Sequence, residues 1–431
     1  MKTELKKYLK NVDLVLIIAI FLIVSIGIAF VYTASYNMQN FVSLFTKQIV
    51  SIILGFSLLL IFSLINYNSY YNIIKYFYIF SILLLVLVLF FGKTVKGARS
   101  WFDFYFISFQ PTELSRIFVI LTFTVFIDKN IKNVKSFLVF IQSFLLFSPI
   151  LILIAMQPDF GAILTFFPVI FGICFLSNMR KIYLFSILFF IFFVSIIPLI
   201  RTFFITTDSL LLKYFTVNWT VFSLLILAIF IYIVLKMLKI NFHKLIYIYF
   251  SILAIFSVNI GFIIDSYLKT YQRNRLIAFL NPELDKLGAG YNIIQSKIAI
   301  GSGGLLGKGL KSGTQTQLGF VPERHTDFIF SVIGEESGFL LASFTILLYL
   351  LICYRIFLIA KNAKDRFGSL ICSSFLILFS FFVILNIGFV LGLLPVTGVP
   401  LPLISYGGSS FIVTCIMLGI ILNVGIERYA N

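Results

Sequence analysis

Long apolar runs separated by short polar intervals set the pattern of this chain, and many of the runs exceed the length of an ordinary buried helix. Residues 14–31 form one such run. A helix needs about 20 mainly apolar residues to cross the hydrocarbon of a bilayer. Segments near 13–34, 45–65, 71–91, 112–128, 136–156, 160–178, 182–201, 214–236, 244–265, 328–355, 368–392 and 404–426 meet that demand. The predicted fold is all-α, a polytopic transmembrane helix bundle of about twelve spans forming a single domain over 1–431.

The polar intervals give the bundle an orientation. With a cytoplasmic N-terminus, Lys2, Lys6, Lys7 and Lys10, then Lys75, Lys129, Lys132 and Lys135 fall inside, followed by Arg180, Lys181, Lys236, Lys239 and Lys244, and later Arg355, Lys361, Lys364, Arg366 and Arg428. The outer turns 35–44, 157–159 and 393–403 hold no Lys or Arg. Short cytoplasmic loops carry the excess of positive charge, so both termini are expected inside. Two longer outer intervals are basic: 92–111 with Lys93, Lys96 and Arg99, and 266–327 with eight Lys and Arg. Either they are solvated basic faces, or they meet an anionic ligand.

Composition narrows the chemistry. A hydrophobic share of 61% with 11% charged residues excludes an ordinary soluble domain. The net charge of +17 follows the loop pattern, so nucleic acid is not an expected partner. Cys174, Cys353, Cys372 and Cys415 lie inside apolar runs without zinc or disulfide spacing, and His243 and His325 are too few for a histidine metal centre. The basic N-terminus lacks a cleavage pattern before its apolar run, so a retained first span is expected.

The longest polar, glycine-rich interval is 288–336. Its glycines around Gly301, Gly307 and Gly309 fit neither nucleotide fingerprint: Gly309 stands where a P-loop needs Ser or Thr, and Leu306 where a dinucleotide loop needs glycine. They serve as packing turns or as a close approach for a bulky ligand. Apolar residues recurring from Tyr291 to Leu306 predict short helices against the membrane surface. Asp327, where the interval re-enters the bilayer, is a helix cap or a general base for a lipid-linked substrate. Glu113 and Arg116 lie three apart and share a helix face, as a structural ion pair or as a cavity lining. Asp159 reads as a helix-start carboxylate, and Glu335 and Glu336 as structural hydrogen-bonding groups or part of a carboxylate site. The prolines and glycines of 394–410 read as packing.

Together these stretches resemble the SEDS family of shape, elongation, division and sporulation proteins. The likeness is carried by Lys96-Gly-Ala-Arg99 with Trp101, by Gln110-Pro-Thr-Glu113, by Gln157-Pro-Asp-Phe-Gly161, by Tyr271-Gln-Arg-Asn-Arg275, and by the whole of 288–338 and 394–410. The wording of 290–297 and of 313–317 fits the elongation branch better than the division branch. Ser100, Thr112 and Arg116 are mild departures, where the family favours Arg, Ser and Lys. The family's usual ten spans imply that 202–265 is an inserted two-helix hairpin, and that 266–327 is a large outer catalytic loop.

What the resemblance implies is a peptidoglycan glycosyltransferase polymerising lipid II on the outer face of the cytoplasmic membrane. The implied partners are a class B penicillin-binding transpeptidase and the membrane proteins of the elongation complex. The family's essential aspartate falls on Asp327 and its paired charges on Glu113 and Arg116; Lys96, Arg99, Gln295, Lys297, Lys308, Glu323 and His325 complete the expected substrate-binding set. No organic cofactor is implied. A divalent cation, Mg or Mn, stands as the alternative to basic residues at the diphosphate. A flippase for the same precursor is the competing reading, although the chain shows no internal repeat of the kind transporters use.

Overall fold

The computed structural model describes residues 11–95, 98–104, 107–207, 244–285 and 288–428. Eleven of the twelve apolar runs are helices, and the twelfth, near 214–236, lies outside the described residues. The chain groups into two units, Met1–Asn178 with Gln295–Asn431, and Met179–Ile294.

The first unit begins with α1 (Leu14–Ser35), α2 (Phe41–Leu64) and α3 (Tyr70–Phe91). A small antiparallel sheet follows, β1 (Lys93–Val95), β2 (Ala98–Phe104) and β3 (Ile107–Phe109), with Lys93 opposite Trp101 and Phe102 opposite Phe109. The outer interval 92–111, expected as a loop, is therefore folded. Arg99 fixes it to the bundle by donating to the carbonyls of Gly92 at 3.0 Å and Leu89 at 3.1 Å, the orphan acceptors at the end of α3. Next come α4 (Pro111–Lys129), α5 (Phe137–Met156) and α6 (Phe160–Leu176). Asp159 caps α6 by accepting from the amide of Ala162, as its position predicts.

In the second unit, α7 (Lys181–Thr206) packs on α8 (Lys244–Tyr267) through Ile197, Val258 and Phe262. Asp265, fully buried, binds Arg201 and, at 3.2 Å, Arg273. Arg273 belongs to α9 (Thr270–Leu280). The interval 266–327 thus holds short helices, α9, α10 (Ala289–Ser302) and α11 (Thr314–Gln317), in agreement with its recurring apolar residues.

The first unit closes with α12 (Ile329–Lys361), α13 (Arg366–Val390) and α14 (Gly408–Glu427). Nine of the described helices are long and apolar enough to cross a membrane. α4 falls short because four of its residues are charged, and α6 because it is only 17 residues long. The chain is a multi-pass membrane protein. Among the nine candidate spans of the described residues α14 is the most enclosed, buried along nearly its whole length. Gly419 lets it approach α2 closely, since a Cβ there would lie 2.6 Å from the Leu59 carbonyl.

α12 is broken at Gly338, whose φ of 69° is left-handed. The break lets the 303–309 loop enter: Lys308 and Gly309 donate amides to the carbonyls of Glu335 and Glu336, and Phe339 and Leu340 donate to Gly304 and Leu305. Gly307 packs its backbone against Glu336, and a Cβ at Gly338 would strike the backbone of Leu305 and Gly307. These glycines are therefore packing turns. Gly338→Ala adds the cost of a left-handed L-residue, about 1–2 kcal/mol, to that clash. A lower melting temperature in detergent and faster proteolysis within 303–317 are expected.

Candidate active site

Residues 323–328 form a tight turn before α12 and carry Glu323, His325 and Asp327 together. Thr326 and Phe328 donate amides to the Glu323 carbonyl, and the Thr326 hydroxyl donates to the Glu323 carboxylate at 2.9 Å. Buried Arg324 anchors the turn by donating to the Ala34 carbonyl at 2.7 Å. Burial lowers its guanidinium pKa, an effect opposed by the charge of Glu336.

The turn is strapped from the other side by α13 and the connection that follows it. The Asn386 amide of α13 donates to the carbonyls of Asp327 at 3.0 Å and Val399 at 2.8 Å. The Ser405 hydroxyl donates to the Thr326 carbonyl at 2.7 Å, and Tyr406 returns an amide to the His325 carbonyl. Each of these straps holds backbone of the turn that carries the half-buried Asp327.

Beside the turn lies a cavity of about 320 Å³ whose wall includes Thr326, Tyr406, Lys47, Lys93, Trp101 and Asp103. Lys93 donates to Asp103 at 2.8 Å, and Ser108 donates to its second oxygen at 3.1 Å. The Lys93 hydrogen bond, then that of Ser108, holds the Asp103 carboxyl below its usual range. A depressed carboxylate pKa keeps this pair intact until the pH falls below the ordinary carboxylate range.

Glu113 and Arg116 form the expected pair on α4 at 2.7 Å, with only 7% and 3% of each residue exposed. The guanidinium also lies over the Phe382 ring of α13, 4.9 Å from its centroid. Phe382 and Asn386 are one helical turn apart, so the pair supports the helix that holds Asp327.

The remaining expected residues are spread around this centre. Lys308 donates to Glu335 at 2.9 Å and to Thr314 at 2.8 Å. The buried Glu335 carboxylate also accepts the amides of Gln315 and Thr316, so it pins the loop, as the structural reading expected. Gln295 is half-buried on α10, its Oε1 enclosed without a hydrogen-bond partner among the described residues, while Lys297 is exposed. Lys96 lies outside the described residues. The cavity wall includes none of Arg99, Gln295, Lys297 or Lys308 among the described residues. No three His, Cys, Asp or Glu side chains among the described residues gather as a metal site.

Sequence reasoning missed Lys47, Asn386 and Ser405. Lys47 stands inside an apolar run, and its one signal is a charge close to the start of a span whose outer turn has none.

The chain is similar to known proteins over nearly its whole length. The chain is 34% identical over 392 residues to the peptidoglycan glycosyltransferase MrdB of Escherichia coli (strain K12), covering 90% of this chain and 87% of that one. It is 31% identical to the peptidoglycan glycosyltransferase RodA of Treponema pallidum (strain Nichols), covering 96% and 98%. Among solved structures, it resembles one describing the structural coordination of polymerization and crosslinking by a peptidoglycan synthase complex, with a TM-score of 0.64 and 26% identity over 97% of this chain and 99% of that one. The rod shape determining protein RodA of Thermus thermophilus matches with a TM-score of 0.60 and 25% identity, covering 97% and 98%. A family model described as cell cycle protein, FtsW/RodA/SpoVE, matches residues 13–216 and 220–430. With nearly the whole chain covered, this protein belongs to the FtsW/RodA/SpoVE family of cell cycle proteins, the SEDS family.

Proposed function

We infer that this chain is a peptidoglycan glycosyltransferase of the elongation branch, which polymerises lipid II into glycan strands and maintains rod shape. The observation that carries the reading is the strapped turn, which presents Asp327 beside a cavity with two lysines at the end of a membrane bundle. In the reaction, a sugar hydroxyl of one lipid-linked disaccharide attacks the anomeric carbon of another. The C–O bond to the diphosphate breaks as the new glycosidic bond forms, through an oxocarbenium-like transition state.

Asp327 accepts the hydroxyl proton as the nucleophile attacks. Positive groups nearby stabilise the negative charge that develops on the departing polyprenyl diphosphate. The donor sugar is inverted, because one displacement occurs at its anomeric carbon. The basic ends of the helices, with Lys129, Arg355, Lys361 and Arg366, face the cytoplasm, which leaves the Asp327 end of the bundle outside. There it meets lipid II and works beside a class B penicillin-binding transpeptidase within the elongation complex.

The test is polymerisation of labelled lipid II by the purified protein, with and without its transpeptidase, resolved as glycan chains on a gel. Polymer is expected, in larger amounts with the partner. If none forms even with the partner, while vesicles containing the protein translocate lipid II, the chain is a flippase.

A further inference from the structure

We propose that the turn 303–311 is a foot set into the outer leaflet of the bilayer, and that lipid acyl chains cover its Leu305, Leu306 and Leu310. These leucines are 69%, 78% and 60% exposed, in an interval otherwise rich in glycine and polar residues. Their depth follows from α12. Phe339 and Leu340, the first residues after the break at Gly338, donate amides to the carbonyls of Gly304 at 2.9 Å and Leu305 at 3.2 Å. Phe339 precedes Arg355 by 16 residues (355 − 339), a helical rise of about 24 Å. Arg355 binds Asp13, the residue that caps the start of α1, and so marks the far edge of the span. The hydrocarbon core is about 30 Å thick, which places Phe339 inside it, close to the outer edge. The backbone of Leu305 is bonded to the helix at that depth.

The turn has the chemistry this setting demands. Irregular backbone is tolerated at membrane depth only where protein satisfies its polar groups. Gly307 donates its amide to Gly303 at 2.8 Å, and Lys308 and Gly309 donate theirs to Glu335 at 3.0 Å and Glu336 at 2.9 Å, beside the two bonds from Phe339 and Leu340. Both lysines of the turn are occupied within the protein. Lys308 donates to the Glu335 carboxylate at 2.9 Å and the Thr314 hydroxyl at 2.8 Å. Lys311 lies 3.9 Å from the centroid of the Tyr36 ring and donates to the Tyr32 hydroxyl at 3.3 Å, at the outer end of α1. Tyrosine and a snorkelling lysine are the side chains that gather where hydrocarbon meets headgroups. The leucines are thus left as an apolar patch with its cations withdrawn, joined by backbone bonds to the exposed Phe339 of a membrane-crossing helix. That continuity with the lipid-facing surface of α12 is what favours acyl chains as the covering.

The experiment is tryptophan fluorescence of the full-length protein, reconstituted alone into nanodiscs of phosphatidylglycerol whose acyl chains are brominated or plain, with iodide as the quencher in water. Leu306→Trp is read as the signal added to wild type, with Gln39→Trp, in the exposed turn between α1 and α2, as the aqueous reference. The added signal of Leu306→Trp should lose most of its intensity in brominated lipid and resist iodide, while that of Gln39→Trp should do the reverse. Leu310→Trp should behave as Leu306→Trp does, and it supplies the reading if Leu306→Trp fails to fold. Quenching by iodide with no more loss in brominated lipid than Gln39→Trp shows would overturn the proposal, and would mark the leucines as a contact for another protein. The readout needs no substrate, so the foot stands or falls independently of whether the chain polymerises lipid II.

Discussion

Asp327→Asn should abolish polymer formation while the protein remains folded. The substitution keeps the size of the side chain and leaves untouched the two straps from Asn386 and Ser405, both of which hold backbone carbonyls. What it removes is the capacity to accept a proton, and a positioned general base contributes about 10²–10⁴-fold in rate. The measurement is the initial rate of glycan synthesis from labelled lipid II, paired with a melting curve in detergent. Near-normal synthesis by a folded Asp327→Asn protein would move the base elsewhere.

The second large effect concerns Glu113 and Arg116. Arg116→Met leaves the Glu113 carboxylate buried without its cation, which costs about 3–5 kcal/mol in comparable sites, so most of the variant should be lost from the folded peak. Restoring neutrality with Glu113→Gln in the same chain should recover most of that stability. Polymer synthesis by the double variant then separates two roles. Recovery of both folding and activity means that the pair supports α13 and, through it, Asn386 and Asp327. Recovery of folding alone means that the charges themselves act on the substrate.

Run length made most of the bundle legible, because a bilayer imposes one length on every span. Even α4 could be read from its pattern, although Glu113, Arg116, Asp128 and Lys129 lower its hydropathy. The sheet at 93–109 was not read. Its strands are three to seven residues long, and its alternation is broken by a shift in register between Lys93 and Thr94. Asp327 and the Glu113–Arg116 pair stand out in the sequence because isolated charges at a membrane boundary are rare. Asn386 does not, since one amide in an apolar helix gives no hint that it will cap the chain 59 residues earlier. Lys47 was hidden for the same reason: its significance comes from Thr326 and Gly407, which only tertiary folding brings to one cavity.

The straps on the 323–328 turn also bear on how the protein is made. Ser405 and the start of α14 are near the end of the chain, yet α14 is the most enclosed of the candidate spans of the described residues. Synthesis runs from the N-terminus, so the earlier spans enter the bilayer while the space for α14 is still unfilled. Until the connection after α13 and the start of α14 are in place, Thr326 lacks the Ser405 hydroxyl and the cavity lacks its glycine wall. A chain that stops before Ser405 keeps Asp327 but lacks both the Ser405 hydrogen bond to the Thr326 carbonyl and the Gly407–Gly408 wall of the cavity.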